Sequence, residues 1–204
     1  MFRRTLAAFL VITAAGTAAG SLTASAAPTV TSTGVLDLQL ANNAPATFVL
    51  FDDAYSVTFP VSPQVTAQDQ PTAAGTLHVA MAIGDTGKEG YGFTIVPVPP
   101  KVPFDVKAGL NGSRDGFLKN VNGTLVSEEP TTVAGLKGTH VVGSAEVGGQ
   151  HARLDLVQAW DPGHRVMVGL YTLSLGVTER SLGDTAFVAS FKVNPKGKTP
   201  GAGT

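Results

Sequence analysis

Apolar and polar residues alternate strictly over Tyr55-Ser56-Val57-Thr58-Phe59, which predicts a strand with one buried face, stopped by Pro60 and Pro63. Residues 77–83 and 91–96 read as two further strands. The turn-rich Gly84-Asp85-Thr86-Gly87-Lys88-Glu89-Gly90 joins them as a hairpin. Prolines at 97, 99, 100 and 103 force an extended crossing, after which the period changes. Val106, Leu110, Phe117, Leu118 and Val121 then share one side of a helix, with Asp105 placed to cap it. Gly109, Gly112 and Gly116 each cost such a helix about 1 kcal/mol relative to alanine, so packing must hold it.

Strands follow at 124–128 and 137–147, and Gly148-Gly149 then separates two complementary runs. A two-residue Gly-Gly loop needs positive φ and fixes the register. Pairing Val147 with Gln150 sets Ala145 opposite Ala152, Gly143 opposite Leu154 and Val141 opposite Leu156. The other face then carries Glu146 opposite His151 and Ser144 opposite Arg153. One register sorts apolar from polar and matches opposite charges, as a hairpin must. Asp161-Pro162-Gly163-His164 predicts a type II turn. Beyond it, Val166, Val168 and Leu170 occupy one face of a strand and Met167, Gly169, Tyr171 and Leu173 the other. A strand apolar on both faces is central and covered twice. Thr178 is expected to cap a last helix with the stripe Leu182, Ala186, Phe187 and Phe191.

The expected class is therefore α+β, an antiparallel sheet of about six strands sandwiched by two helices. Residues 51–194 are expected to form the domain, 27–50 an N-terminal extension whose alternating piece Val35-Leu36-Asp37-Leu38-Gln39-Leu40 can add an edge strand, and 195–204 a tail disordered by composition. Residues 1–26 read as a secretory signal: Arg3 and Arg4, an apolar stretch, then Ala24-Ser25-Ala26 before the expected cleavage. No later segment approaches the roughly eighteen apolar residues of a membrane span. Localisation follows as secreted, in the extracellular or cell-envelope space.

Charge and composition narrow the chemistry. The chain of 204 residues holds 14 Lys plus Arg against 15 Asp plus Glu. Losing Arg3 and Arg4 leaves 12 against 15, a net −3. That balance argues against nucleic acid as a partner, since phosphates are neutralised by a clustered basic excess. The absence of cysteine excludes disulfides, thiolate metal sites and thiol nucleophiles, and with them a lipidated N-terminal cysteine. Asn111-Gly112-Ser113 and Asn122-Gly123-Thr124 match the glycosylation pattern but read as Asn-Gly turns.

The order of parts resembles secreted bacterial domains of the PsbP-like fold and is similar to LpqN-type envelope lipoproteins. The strand Tyr55-Ser56-Val57-Thr58-Phe59-Pro60, the helix with Arg114-Asp115-Gly116-Phe117 leading to Asn122-Gly123-Thr124-Leu125-Val126, and the run Val133-Ala134-Gly135-Leu136-Lys137-Gly138 before a long hairpin carry the resemblance. So does the closing Ala186-Phe187 with Ser190-Phe191. The resemblance implies a sheet between helices and a non-catalytic accessory, binding or assembly role. The missing lipidation cysteine departs from the LpqN type.

No catalytic constellation is complete. The histidines at 78, 140, 151 and 164 lie at no helical ligand spacing. Ser113 sits in no nucleophile elbow, and Asp52-Asp53 and Glu128-Glu129 are adjacent pairs whose side chains point to opposite faces of a strand. The chain is expected to be no enzyme and to need no metal or cofactor. Glu146, His151 and Arg153, with Asp155 beside them, form either a small ligand-binding face or an exposed cross-strand charge ladder, the commoner arrangement. Trp160 is read first as core and alternatively as the mouth of an apolar pocket. Two functions follow: an adaptor that binds an envelope protein partner, or a soluble carrier of an apolar small molecule or lipid.

Overall fold

The computed structural model describes residues 45–50, 53–72, 75–100 and 102–197. The expected leader at 1–26 and the alternating piece at 35–40 lie outside them. Along the chain come β1 (Ala46–Leu50), β2 (Tyr55–Phe59), β3 (Gln64–Thr72), β4 (Gly75–Asp85), β5 (Glu89–Pro97) and α1 (Val106–Asn120). They are followed by β6 (Thr124–Val133), β7 (Leu136–Val147), β8 (Gln150–Asp161), β9 (Val166–Leu175), α2 (Leu182–Ala189) and β10 (Lys192–Val193). Seven strands form one antiparallel sheet in the order β3-β4-β5-β9-β8-β7-β6, and β1-β2-β10 form a second, smaller one.

The α+β class stands, with seven strands in the main sheet where about six were expected. The added strand is β3, Gln-Val-Thr-Ala-Gln-Asp-Gln-Pro-Thr, whose only large apolar side chain, Val65, is exposed. An edge strand lying on no core needs no apolar face, because its backbone ladder with β4 holds it. At the other edge β6 runs on to Val133 through Pro130, a residue that edge strands tolerate.

The large sheet is covered on both sides. On one side Phe117, Leu118 and Val121 of α1 and its C-terminus pack on Val141, Leu154, Leu156 and Tyr171. On the other, α2 and the small sheet together supply Phe59, Tyr55 and Phe187 against Phe93, Ile95 and Leu170. β9 is fourth of seven strands, so both its faces are buried, as its two-sided apolar pattern requires.

The β7–β8 hairpin has the expected register throughout, from Val147 opposite Gln150 to Val141 opposite Leu156. Gly148 and Gly149 take φ of 60° and 76°, the positive values such a two-residue loop demands. α1 begins as expected, with Asp105 Oδ1 accepting from the Ala108 N–H at 3.0 Å. Gly109 of this helix serves close approach. A Cβ on Gly109 would sit 2.3 Å from Phe104 Cζ and 3.1 Å from Met167 Sδ, and one on Gly143 of the facing β7 would sit 2.6 Å from Leu118 Cδ2.

Three local expectations need correction. The last helix is capped by Ser181, not Thr178, in a capping box with Asp184, and only Asp184 and Phe187 within it are buried. Of the expected stripe, Phe187 and Phe191 are buried, whereas Leu182 and Ala186 face solvent. In the turn after β8, positive φ falls on Arg165 (55°), not on Gly163. Asp161 Oδ1 instead accepts from the Gly163 and His164 N–H groups at 2.9 and 3.2 Å, which shapes the turn through its side chain. Asn111-Gly112 lies inside α1, whereas Asn122-Gly123 does make a turn, with Asn122 at φ 49°.

Candidate functional site

Three loops converge at one end of the large sheet. The β4–β5 tip, the β7–β8 tip and the segment after β9 are tied by two backbone bonds: Leu175 N–H to Lys88 O at 3.0 Å and Gly176 N–H to His151 O at 2.8 Å. Antiparallel pairing of consecutive strands makes this convergence obligatory, since β5, β9 and β8 are neighbours.

The sheet face beneath α2 changes character as it nears this end. One rung aligns Phe93, Leu170 and Val157, all apolar and buried. The next aligns Tyr91, Thr172 and Asp155, and the last Glu89, Ser174 and Arg153. Asp155 is only 2% exposed, and three groups make its burial tolerable. Arg153 donates from Nε to Oδ2 at 2.6 Å and from Nη2 to Oδ1 at 3.0 Å, and His140 Nε2 donates to Oδ1 at 2.7 Å. Burial pushes the Asp155 carboxyl up, but these hydrogen bonds and the adjacent positive charge outweigh it and hold the group below its usual range. Arg153 also donates from Nη1 to Thr178 O at 2.8 Å, so the buried ion pair pins the loop ahead of α2.

Asp184 is the opposite case. It is fully buried, and its Oδ2 accepts from Ser174 Oγ at 3.0 Å and from the Ser181 N–H at 3.4 Å. Its Oδ1 has no partner, nor has the buried Thr172 hydroxyl. Burial, with Glu89 and Asp155 adding like charge, raises the Asp184 carboxyl above its ordinary value despite those two bonds.

The candidate residues read from the sequence divide. Glu146 and His151 sit at the hairpin tip, both exposed, with His151 Nδ1 3.7 Å from Glu146 Oε1. Arg153, one rung further in, turns to Asp155 instead. Trp160 lies on the opposite face toward the far end of β8, its ring 4.8 Å from that of Phe104 in the cluster with Val79, Leu110 and Met167. His140 was missed as a partner for Asp155. The signal existed: in the hairpin register His140 faces Val157, one diagonal step from Asp155 on the same face.

A second polar cluster lies at the far end of β8. Asp161 Oδ2 accepts from the Tyr55 hydroxyl at 2.9 Å and lies 2.7 Å from His164 Nδ1, and His164 Nε2 approaches Gly197 O at 3.2 Å. Burial and the neighbouring carboxylate push the Tyr55 phenol upward, so it stays a proton donor. This cluster joins the first described turn, the Asp161 turn and the chain's last described residues, and its groups are all engaged with one another. Among the described residues no three His, Asp or Glu side chains are arranged to hold a metal ion.

Exposed apolar side chains are unevenly placed. Of the five large ones among the described residues, Val177 and Leu182 follow β9 at the loop end, and Leu125 and Val126 open β6 beside Ser144 of β7. Leu182 is 90% exposed. Val65 lies on the edge strand β3, opposite Ala82.

No protein-family model matches the chain, and no curated protein matches it. Solved structures that partly resemble this chain include two at low identity. One is a protein from Bacteroides thetaiotaomicron, at 9% identity and a TM-score of 0.41, over 72% of this chain and 48% of that one. The chain thus spans about half the length of that relative. The other is LpqN of Mycobacterium tuberculosis, described as involved in cell envelope biogenesis, at 11% identity and a TM-score of 0.40, over 75% of this chain and 86% of LpqN.

Proposed function

We propose that this chain is a secreted, non-enzymatic accessory domain of the bacterial cell envelope that binds a protein partner through the loop end of its large sheet. The observation that carries the reading is the exposure of Val177 and Leu182 beside the start of α2, at one end of a molecule whose other large apolar groups are mostly buried, with Leu125 exposed at the same end on the face that carries α1. Solvent-facing apolar clusters rimmed by polar residues mark interaction surfaces. The ionisable clusters are spent elsewhere: Asp155 with Arg153 and His140, and Asp161 with Tyr55 and His164. The leader at 1–26 supports export, and the resemblance to PsbP-like domains implies a non-catalytic role. Among the described residues no helix is long and apolar enough to cross a membrane.

The alternative, a carrier of an apolar small molecule or lipid, draws on the two-sided apolar strand β9 and on the glycines of α1, which can leave room for a guest. Phe104, Met167 and Leu118 occupy the space beside Gly109 and Gly143, which favours the adaptor. The test is affinity capture from envelope extract with the protein lacking residues 1–26, run beside its Leu182→Asp variant. The adaptor reading expects a partner held by the parent and lost by the variant. Recovery of nothing above background from either would count against it.

A further inference from the structure

The segment after β10 folds back across the start of β2. The Asn194 N–H donates to Ala54 O at 2.8 Å, and the Gly197 N–H donates to Asn194 O at 2.9 Å, closing a turn. Gly197 lies so close to the chain beneath that a Cβ there would sit 2.2 Å from Ala54 Cα. Pro195 and Lys196 are exposed, so side-chain burial does not hold this turn. Its outer tie is the Gly197 carbonyl, 3.2 Å from His164 Nε2.

The partners of His164 dictate its protons. Asp161 Oδ1 accepts from the Gly163 and His164 N–H groups, and Oδ2 accepts from the Tyr55 hydroxyl. Burial pushes the Asp161 carboxyl up, but the hydrogen bonds from His164 and Tyr55 outweigh it and hold the group below its usual range. Asp161 is thus a carboxylate with no proton to offer, and His164 Nδ1 must donate to it across 2.7 Å. The Gly197 carbonyl can only accept, so Nε2 must donate as well. An imidazole that donates from both nitrogens is an imidazolium. Its side chain is 10% exposed and that of Asp161 6%, which makes this a largely buried ion pair.

We propose that His164 is a proton-operated clasp: the imidazolium fastens the C-terminal segment to the end of β8, and loss of its Nε2 proton frees residues 195–197 while Asn194 stays tied to Ala54. The Nε2 proton is the one to leave, because Nδ1–H faces a charged acceptor at 2.7 Å and Nε2–H a neutral one at 3.2 Å. Once it has gone, a nitrogen lone pair faces a carbonyl oxygen, and the two repel. Histidine changes charge between about pH 5 and 8, so the clasp closes on the acid side and opens as pH rises. The titratable groups facing the ring are Asp161 of β8 and Tyr55 of β2, whose phenol burial and Asp161 push upward. Both keep their charge state over that interval. Arg165, the next residue, turns its guanidinium to Pro99 O and Val102 O instead, and Lys196 lies in solvent. The clasp operates whether or not a partner binds the loop end.

Nuclear magnetic resonance of the full chain from about pH 5 to about pH 8 tests the clasp. Two-bond proton–nitrogen correlations report the protons of His164, and amide exchange protection reports Gly197 and Asn194. Both ring nitrogens should carry protons at the acid end. As the Nε2 proton is lost, protection of Gly197 should fall roughly tenfold with the same midpoint, while that of Asn194 holds. His164→Phe keeps a ring beside Tyr55 but offers no donor, so Gly197 should be weakly protected at both ends of the range. A neutral His164 ring at the acid end with Gly197 still protected would overturn the proposal. So would protection of Gly197 that ignores the His164 transition, an outcome the parent chain reveals even if the variant fails to fold.

Discussion

Two halves of one sheet face are built on different rules. Toward the middle, the rung Phe93–Leu170–Val157 lies under Phe59, Phe187 and Phe191, and every group there is held by apolar burial. Toward the loop end, Tyr91–Thr172–Asp155 and Glu89–Ser174–Arg153 lie under the start of α2, and hydrogen bonds and charge do the holding. Burial is non-directional and tolerates approximate shapes. A buried carboxylate tolerates little, since each oxygen left without a donor carries its full desolvation cost. The polar half therefore locks the loop before α2 in one position, which turns Leu182 outward.

Leu156→Ala should be the most damaging change, because it empties a fully buried position beneath α1 and lies outside the polar half altogether. A loss of about 3 kcal/mol is expected by denaturant titration. Asp155→Ala should come close, at about 2–3 kcal/mol, since Arg153 and His140 would lose their shared acceptor. A loss below about 0.5 kcal/mol would dissolve the distinction between the halves.

Gly109→Ala sets local preference against packing. Helix propensity favours alanine by about 1 kcal/mol, yet its Cβ must displace Phe104, so a net loss of about 1–2 kcal/mol is expected. Asp184→Asn should stabilise the protein at neutral pH by about 1 kcal/mol, because the amide removes a buried charge while keeping an oxygen for Ser174. Leu182→Ser should change stability by less than about 0.5 kcal/mol and serves as the surface control.

The two buried acids give opposite pH signs. The folded-state carboxyl of Asp155 is lowered, so its contribution is complete above the unfolded value near 4 and is lost as pH falls through the folded one. The folded-state carboxyl of Asp184 is raised, so its contribution is complete below about pH 4 and is lost as pH rises through the folded value. Unfolding curves of Asp155→Asn and Asp184→Asn against pH, each compared with the parent, should diverge in these opposite directions.

Much of this fold is written in local pattern. The strand at 55–59, the capped start of α1 and the whole β7–β8 register follow from alternation, one aspartate and a Gly-Gly pair, because each depends on near neighbours in the chain. β3 was not legible, since a polar edge strand has no period to show and exists through its ladder with β4. The late start of α2 was not legible either. Thr178 and Ser181 are both good caps, and the choice is made by Asp184 completing the box and Arg153 binding Thr178 O.

The sequence by itself determined the mild negative charge, the lack of cysteine chemistry and the sorting of faces in β2, β7, β8 and β9. Only the tertiary structure decided that Arg153 serves Asp155 rather than Glu146, that Trp160 packs on Phe104, and that Leu182 points to solvent. Those outcomes depend on groups far apart in the chain competing for the same partners, and distance in three dimensions settles such competition.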